Sequence, residues 1–350
     1  MAGTVEGQHI MVDGVARGRV VCFGEMLLRL SAVQHGGLLQ HPALDAHFGG
    51  AEANVAIALA RMGTPSSMLS VLPEGPLGDA AIEQLRRHAV DVSAIRRVPG
   101  RLGLYYFVPG TGHRASSVHY DRQASTFTTL APGEIDWSAV LDGAAWLHMS
   151  GITPALGPES AAVAVEAAQA ARAAGVRLSF DGNYRATLWD AWPSNPREVL
   201  STLVGEADLL FGNHRDVALL LGRPFEGDTP DARRAAAEAL FERFPRLEWI
   251  ASTAREVIDA ETNNLAGRLD GRERGWETEP VAIGRIIDRI GTGDAFAAGM
   301  LHGLMTAEPQ DALQTAVALA VLKHYVPGDA SIATRPDIDA FLSGQRDVRR

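Results

Sequence analysis

Cysteine is nearly absent from this sequence, which contains a single one, Cys22, in 350 residues. A lone cysteine cannot form an internal disulfide bond, so the fold does not depend on an oxidising compartment. Cys22 lies in the apolar run VVCF, where a small buried hydrophobic side chain is expected. A chain of this length also buries enough apolar surface to fold without disulfides or a structural metal.

Basic charge and long apolar runs are also scarce. Lysine and arginine number 32 against 42 acidic residues, which gives a formal net charge of −10, and Lys323 is the only lysine. This balance argues against nucleic acid or an anionic membrane as a partner, because proteins that bind them usually present a basic face. No apolar stretch approaches the roughly 18 residues that a membrane-spanning helix needs. We therefore expect no membrane insertion.

The first 18 residues contain no apolar segment of the kind found in secretory signals. We therefore expect a disordered leader over 1–18 rather than a signal peptide. The sequence predicts a cytoplasmic protein whose folded domain spans residues 19–345.

From Arg19 onward, short β-like runs alternate with helical patterns rich in alanine and leucine, which is typical of βαβ units and a mostly parallel sheet. The predicted strands are 20–24, 67–72, 144–151, 176–183, 207–213 and 247–253. The predicted helices lie near 51–62, 79–88, 159–174, 214–221, 231–243, 293–306 and 310–324. The fold class is therefore α/β, with ligands expected at the carboxyl ends of the strands.

Residues 26–48 and 101–123 break this alternation, because they are β-like but polar, interrupted by glycine and without helices between them. The second segment predicts a hairpin with PGTG, at 109–112, in its turn. Such pieces fit a small sheet attached to one edge of the main domain, a candidate lid. A further hairpin pattern over 263–280 predicts the antiparallel edge of the main sheet.

The most informative stretch is RIIDRIGTGDAFAAGMLHGL at 285–304, which predicts a strand ending at Asp288, a glycine-rich turn and a helix. The residues from Gly291 to Gly293 can present backbone N–H groups to a phosphate or a developing anion. Asp294 in the first turn is either a helix-stabilising charge or a base that faces this anion site.

A second stretch, HFGGAEANVAIALARMG at 47–63, also leads from a glycine pair into a helix, with Asn54 one turn inside. In this order and at this separation the two stretches resemble the signature motifs of the ribokinase-like (PfkB) sugar kinases. The similarity runs from about Val20 to Phe341. The resemblance implies a ribokinase-like three-layer αβα, Rossmann-like core with a small β-sheet lid. It also implies ATP-dependent phosphorylation of a sugar hydroxyl, with Mg²⁺.

Within the family, the chain most resembles the 2-keto-3-deoxygluconate kinases. The resemblance rests on GGAEANVA, the Tyr105/Tyr106 strand, VHYDRQAS, SGITPA, FDGNYRATLW, NHRD and KHYVPGD. By position it implies sugar contacts from Gly50, Asn54, Tyr105, Tyr120, Arg122, Ile152 and Arg185. It further implies Asp294 as the base and the backbone N–H groups of Gly291, Thr292 and Gly293 as the anion hole.

The residue chemistry agrees with an acid sugar, because a carboxylate needs a cation and the planar fork of arginine suits it. Arg122 and Arg185 would be unnecessary for a neutral sugar such as fructose, although a surface ion pair is the commoner role of any one arginine. Tyr120 and Arg122 are two residues apart in a predicted strand, so both side chains face one side. A tyrosine there offers an apolar ring and a hydroxyl, and packing within the lid sheet is an equal alternative.

The nucleotide side departs from the family pattern. Relatives often carry Asn-x-x-Glu where this chain has Asn-His-Arg-Asp at 213–216, and Lys-x-Gly where it has STAREVIDAETNN. We therefore assign no residue as a metal ligand, Asp216 included. The resemblance implies nucleotide contacts from Asn183, Asn213, Ser252, Thr253, Arg255 and Lys323. For Lys323, neutralisation of a helix C-terminus is an equal alternative.

The expected reaction is transfer of the γ-phosphoryl group of ATP to the terminal hydroxyl of 2-keto-3-deoxygluconate. The alternatives are a fructokinase, a ribokinase or a kinase for the galacto epimer, and, in another class, a non-catalytic sugar sensor on the same fold. A dehydrogenase is disfavoured, because the G-x-G-x-x-A at 110–115 is followed by a strand pattern rather than a helix. Pairing of lid-sheet edges between subunits would cover exposed strands, so a homodimer is expected.

Overall fold

Two β-sheets and the helices around them make up the described chain. The computed structural model describes residues 18–33, 36–345 and 347, so the predicted leader lies outside it except for Gly18. The strands are β1 (Arg19–Phe23), β2 (Leu27–Ala32), β3 (Leu44–Gly49), β4 (Ser66–Pro73), β5 (Ile95–Val98), β6 (Gly103–Val108), β7 (Ser117–Asp121), β8 (Ala144–Ser150), β9 (Arg177–Asp181), β10 (Leu209–Phe211), β11 (Trp249–Val257), β12 (Asn263–Gly271), β13 (Gly275–Glu277) and β14 (Val281–Ile283).

The helices of the same residues flank the larger sheet. They are α1 (Ala51–Arg61), α2 (Pro76–Arg87), α3 (Trp137–Leu141), α4 (Ile152–Ala155), α5 (Pro158–Ala173), α6 (Ala186–Trp189), α7 (Pro196–Glu206), α8 (His214–Leu221), α9 (Pro230–Arg243), α10 (Thr292–Thr306), α11 (Pro309–Lys323) and α12 (Arg335–Leu342), with a short 3-10 helix at Thr126–Thr129. Among the described helices, none has the length and apolar character needed to cross a bilayer.

The main sheet has ten strands, in the order β13-β12-β11-β10-β9-β8-β1-β4-β5, with β14 paired to β12. Its neighbours from β5 to β11 run parallel. The strands β12, β13 and β14 are antiparallel to their partners. This arrangement confirms the predicted mostly parallel sheet and the antiparallel edge expected from 263–280.

Helices cover both faces of the main sheet because its central strands are apolar on both sides. In β1, Val20 and Cys22 face a core shared with α1, α2, α10, α11 and α12. Val21 and Phe23 face the opposite core, shared with α3, α5, α7, α8 and α9. Near-continuous apolar runs of this kind are expected where a parallel sheet is buried on both faces. The predicted three-layer αβα core is therefore confirmed.

The second sheet has four strands in the order β3-β2-β6-β7 and lies, except for Gly49 at the end of β3, within the two segments predicted to form a lid. Strands β2 and β6 are parallel, and each has an antiparallel partner at the sheet edge. Leu27, Tyr105 and Phe107 form a small cluster that packs against Ile290 of the main domain. The predicted hairpin is present, with PGTG inside a longer connection over 109–116. The domain boundaries and a lid movement stay predictions.

Two features differ from the sequence-based expectation. The predicted strand ending at Asp288 is wrong, because 284–291 is a loop in which Arg285 has a φ of 58°. The helices α3, α4, α6, α7 and α12 were not predicted. For α7 and α12 a usable signal existed: Asn195 caps a helix with proline in its first turn, and Thr334 with Asp337 forms a capping box.

Close contact between α10 and α11 supports the helix that begins at the candidate anion site. A Cβ on Gly299 would lie 2.6 Å from the Ala316 Cα, and one on Gly303 would lie 2.4 Å from the Ala312 Cα. The two helices therefore lie so close together that only glycine fits at these two positions. The position of the α10 N-terminus depends on this packing.

We expect Gly303→Ala to lower the free energy of unfolding by about 1–3 kcal/mol, because the added methyl group must push α11 away. Gly205→Ala is the matched control, since the same change in α7 meets only a Phe244 ring carbon at 4.0 Å. Alanine is the better helix former, so the control should be neutral or stabilising. Urea unfolding of both variants measures this, and equal loss in both would contradict the packing argument.

Candidate active site

A cavity of about 340 Å³, called here the lid cavity, lies between the lid sheet and the carboxyl ends of the main-sheet strands. All seven predicted sugar contacts line it, as do the predicted base and anion hole. These residues are Gly50, Asn54, Tyr105, Tyr120, Arg122, Ile152, Arg185, Gly291, Thr292, Gly293 and Asp294. The structure thus brings together residues from both signature stretches and from the lid. Their roles stay predictions at this point.

Asp294 and Asn54 meet at the base of the lid cavity. Asn54, on α1, donates from Nδ2 to Oδ2 of Asp294, on α10, at 2.7 Å. Burial raises the pKa of Asp294 to about 6, against the opposing effects of the Asn54 hydrogen bond, Arg185 and Lys323. A carboxyl group with this pKa can accept a proton near neutral pH. The Asn54 side-chain oxygen is buried without a hydrogen-bond partner in the described part of the chain.

Backbone constraints form the anion site at the start of α10. Gly291 is the N-cap of the helix, in the left-handed conformation with φ 77°. A Cβ there would lie 1.7 Å from the Asp329 carbonyl oxygen, so the turn requires glycine. Thr292 donates from its hydroxyl to the Arg289 carbonyl at 3.1 Å, which closes the turn. The free N–H groups of the first helical turn therefore face the cavity as an anion-binding surface.

Arg122 is not a free cation, contrary to its simplest sequence interpretation. Its Nε donates to the Glu25 carboxylate at 2.9 Å, its Nη2 contacts the same oxygen, and both side chains are buried. Ser125 donates to the other Glu25 oxygen at 2.5 Å. Arg122 does face Tyr120 as predicted, with its guanidinium 5.5 Å from the ring centroid. Only its Nη1 edge has no hydrogen bond among the described residues.

A buried ion network joins the lid to the anion site. Arg29 of β2 contacts Asp288 at 2.7 Å and Asp329 at 3.0 Å. Asp329 also accepts a hydrogen bond from the Tyr105 hydroxyl. Asp288 accepts from the Ile290 backbone N–H at 3.0 Å, within the loop that leads to the helix. The predicted sugar contact Tyr105 is therefore held by Asp329, and burial followed by the Asp329 charge raises its pKa.

Further buried carboxyl groups lie around Asp294. Burial raises the pKa of Asp181 to about 8, with added repulsion from Asp294 and Asp216. Burial likewise raises the pKa of Glu52 to about 7, although Glu52 accepts a hydrogen bond from the Ser150 backbone N–H at 2.9 Å. Over the described ranges, no group of three or more His, Cys, Asp or Glu side chains could hold a metal ion.

Two connected clefts open beside the anion site. The central cleft, of about 590 Å³, is lined by Asp181, Asn183, Arg185 and Gly293, all four of which also line the lid cavity. The outer groove, of about 630 Å³, shares five residues with the central cleft: Gly212, Asn213, Arg215, Ser252 and Thr253. The predicted nucleotide contacts Asn183, Asn213, Ser252 and Thr253 thus lie in these clefts, and Arg255 lines the outer groove and the lid cavity.

Lys323 does not line the lid cavity or either cleft, so its predicted nucleotide contact is not supported by its position. The residue is fully buried at the end of α11, where its Nζ donates to the Val326 carbonyl at 3.0 Å. Burial lowers its pKa, and the nearby carboxylates of Asp288 and Asp329 oppose this. The helix-terminus alternative fits this geometry.

Asp216 has a local structural role that the sequence left open. It accepts from the Asn213 backbone N–H at 2.8 Å and completes the capping box of α8. Its pKa is raised by burial even so. Asp216, which stands where relatives often carry glutamate, is therefore hydrogen-bonded to the N-terminus of its own helix.

Several residues that line the lid cavity were missed by the sequence reasoning: Glu25, Glu52, Asp181, Arg289 and Asp329. Glu25 and Asp181 lie at the carboxyl ends of β1 and β9, where ligands of α/β proteins are expected. That rule could have found them. Glu52, Arg289 and Asp329 lie inside stretches that carry the family resemblance, but the sequence alone gave no reason to choose them.

We expect Arg29→Met to destabilise the protein by about 3–5 kcal/mol, because it leaves two buried carboxylates without their cation. The matched control in the lid is Arg101→Met, which removes an exposed ion pair with Asp121. Surface pairs contribute little, so the control should unfold almost as the parent does. Denaturant unfolding of the two variants measures the difference. Similar stabilities would show that the Arg29 network is not required.

Comparison with known proteins agrees with this geometry. The profile of the pfkB family carbohydrate kinases matches residues 17–334. The chain is 34% identical over 330 residues to the 2-dehydro-3-deoxygalactonokinase of Haloferax volcanii, across 93% of this chain and 96% of that one. It is 29% identical over 335 residues to the 2-dehydro-3-deoxygluconokinase of Bacillus subtilis, across 94% and 97% of the two chains.

A solved structure gives the same result. The crystal structure of 2-dehydro-3-deoxygluconokinase from Thermotoga maritima is similar with a TM-score of 0.88 and 36% identity, across 94% of this chain and 99% of that one. The predicted ribokinase-like fold and the sugar-kinase activity are both confirmed, and the sensor and dehydrogenase alternatives are not supported. This chain belongs to the pfkB family of carbohydrate kinases and is an ATP-dependent sugar kinase.

Proposed function

We propose that this kinase phosphorylates the terminal hydroxyl of 2-keto-3-deoxygluconate, also called 2-dehydro-3-deoxygluconate. The observation that carries the proposal is the pairing of Asp294 with Asn54 at the point where the lid cavity meets the α10 N-terminus. A hydroxyl bound there lies beside a base and beside backbone donors suited to the transferred phosphoryl group.

Asp294 accepts the proton of the attacking hydroxyl in this proposal. General-base catalysis of this kind contributes roughly 10²–10⁴ in rate. The backbone N–H groups of Gly291, Thr292 and Gly293 stabilise charge on the phosphoryl group in transfer. Phosphoryl transfer asks the protein mainly for positioning and charge stabilisation, and alignment of the two reactants contributes most, about 7–11 kcal/mol.

The acid sugar is held by donors and acceptors that the described chain leaves unused. The buried Asn54 oxygen is open to a sugar hydroxyl. Among the described residues Arg185 donates only to the neighbouring Tyr184 carbonyl and forms no ion pair, so its guanidinium can bind an anionic group, although its charge also acts on Asp181 and Asp294. Arg122 offers its Nη1 edge while Glu25 balances its charge. Tyr120, about half exposed, presents its ring to the cavity.

The central cleft and the outer groove are the proposed ATP site, with contacts from Asn183, Asn213, Ser252, Thr253 and Arg255. Mg²⁺ fits the central cleft, because Asp181 and Asp216 both line it and carboxylates are the hard oxygen donors that Mg²⁺ prefers. When bound, Mg²⁺ neutralises phosphate charge. Asp181 would hold it directly and Asp216 through water, since Asp216 already caps α8.

The galacto epimer of the same acid is the second candidate substrate. It is favoured by the 34% identity to the Haloferax volcanii enzyme named for that epimer. The two acids differ only in the configuration of one hydroxyl, and they share the carboxylate and the terminal hydroxyl on which the proposal rests.

A homodimer through the lid is proposed on the same grounds as in the sequence analysis. Strands β3 and β7 are the edges of the lid sheet, and Val118 of β7 is 36% exposed. Pairing such edges with a second copy would satisfy their backbone groups. Sedimentation velocity measures the mass in solution, and a monomer would contradict the proposal.

We expect Asp294→Asn to lower kcat by roughly 10²–10⁴ while sugar binding is retained, because asparagine cannot accept the proton. In the parent, kcat/KM should rise with pH through about 6, since Asp294 must be deprotonated to act and its pKa is raised to about 6. This rise should be absent from the residual activity of the variant. Steady-state rates from pH 5 to pH 8 and sugar-binding calorimetry measure both; near-parent rates would overturn the base assignment.

The substrate is tested by ADP release with MgATP and a panel of sugars. The panel contains 2-keto-3-deoxygluconate, its galacto epimer, gluconate, fructose and ribose. We expect turnover confined to the two keto-deoxy acids, and the ratio of their kcat/KM values identifies the preferred epimer. Preference for fructose or ribose would leave the kinase assignment intact and overturn the acid-sugar proposal.

A further inference from the structure

Two arginines stand side by side at the mouth of the anion site. Arg289 lines the lid cavity, and Arg255 lines both that cavity and the outer groove. Arg255 donates from Nη2 to the Thr292 hydroxyl at 3.0 Å, and the same hydroxyl donates to the Arg289 carbonyl. The Arg255 guanidinium is therefore hydrogen-bonded to the turn that begins α10, and Arg289 belongs to the same turn through its backbone carbonyl.

Neither arginine forms an ion pair within the part of the chain that the structure describes, although the charge of the nearby Asp259 carboxylate acts on Arg289. Arg289 donates from Nη2 to the Asp259 carbonyl at 2.5 Å, and its Nε is buried with no partner. Partial desolvation and the charge of Arg289 lower the pKa of Arg255. Two neighbouring guanidinium groups repel each other, and an anion bound between them in the working state would relieve that repulsion.

The location favours phosphate over the sugar carboxylate as that anion. The hydroxyl to be phosphorylated lies at Asp294, two residues after Thr292, and the carboxylate is at the other end of the sugar chain. Arg255 also borders the groove assigned to the nucleotide, whereas Arg122, in the lid segment, remains for the carboxylate end. Guanidinium groups suit the several oxygens of a phosphate because they donate in a planar fork.

We propose that Arg289, together with Arg255, binds the γ-phosphoryl group of ATP and is a catalytic residue of the transfer. This inference rests on the proposed phosphoryl transfer at Asp294. In the step, the bond between the γ-phosphorus and the β–γ bridging oxygen breaks, and the sugar hydroxyl oxygen bonds to that phosphorus. The hydroxyl proton goes to Asp294, the electron pair of the broken bond stays on ADP, and the two guanidinium groups donate hydrogen bonds to the equatorial oxygens.

Arg289→Met tests the proposal by comparing two nucleotides that differ only in the γ group. Calorimetry of the full chain with Mg²⁺ and no sugar gives Kd for ADP and for the non-hydrolysable β,γ-imido analogue of ATP. Hydrogen bonds to charged groups are worth about 1.5–3 kcal/mol, so the variant should bind the analogue about 10- to 150-fold more weakly. Its Kd for ADP should change less than twofold, and its kcat should fall with the sugar KM retained.

Arg285→Met is the matched control, because it removes the same charge from the exposed start of the same loop. Its ratio of Kd for the analogue to Kd for ADP should equal that of the parent.

Arg289→Lys keeps the charge without the planar fork and should show an intermediate ratio. This variant also tests the proposal if the methionine variant does not fold. Equal weakening of both nucleotides would overturn the proposal, and so would a rise in sugar KM alone, which would place the carboxylate there. Because the nucleotide titrations contain no sugar, a wrong sugar assignment would not alter their outcome.

Discussion

The buried Arg29 guanidinium is the interaction on which the site depends, because it connects a lid strand to both loops that shape the anion site. Asp288 belongs to the loop before α10 and Asp329 to the loop after α11, and both contact Arg29. The Asp329 carbonyl in turn lies so close to Gly291 that it leaves no room for a Cβ there. The glycine turn that exposes the helix N-terminus is thus packed between groups that an ion network from the lid holds in position. Sugar binding beneath the lid and anion binding at α10 therefore share one set of contacts.

Charge is distributed unevenly around the reacting centre. Asp294, Asp181 and Glu52 all have raised pKa values, because burial removes water and too few cations replace it. Arg255 and Arg289, which also line the lid cavity, form no ion pair within the described ranges. Unpaired charged side chains destabilise a folded protein, so only a few can be present, and an ATP site needs both cations and carboxylates. Unpaired cations suit phosphate oxygens, and unpaired carboxylates suit a divalent metal and a hydroxyl proton. The charged side chains of the site are thus matched to the charges of its substrates rather than to one another.

The sequence predicted the layers of the fold from local patterns, and most residues of the lid cavity through the family resemblance. Apolar runs identified the central strands, and the polar, glycine-interrupted segments identified the second sheet. The two signature stretches placed Asn54 and Asp294, which meet at 2.7 Å although 240 positions separate them. What could not be predicted depends on contacts between distant segments. No local pattern in the sequence predicts that Arg122 pairs with Glu25 or that Arg29 lies between two loops. Nor does any local pattern predict that Lys323 is buried outside the clefts. The strand expected to end at Asp288 failed for the same reason, because distant partners hold that carboxylate in a loop.

The pairing of Arg122 with Glu25 changes how the kinase can select an acid sugar. If Arg122 were a free cation, any anionic ligand would gain from approaching it, phosphate included. Because Glu25 balances its charge, the lid end of the cavity offers a directed donor edge with little net attraction. A carboxylate bound there gains hydrogen bonds only if its oxygens meet that edge, so shape and hydroxyl placement decide binding. Arg255 and Arg289, which form no ion pair among the described residues, border the anion site instead, while Arg185 lies where the lid cavity meets the central cleft. Separation of these two kinds of arginine keeps phosphate at the α10 end and leaves the lid end to the sugar.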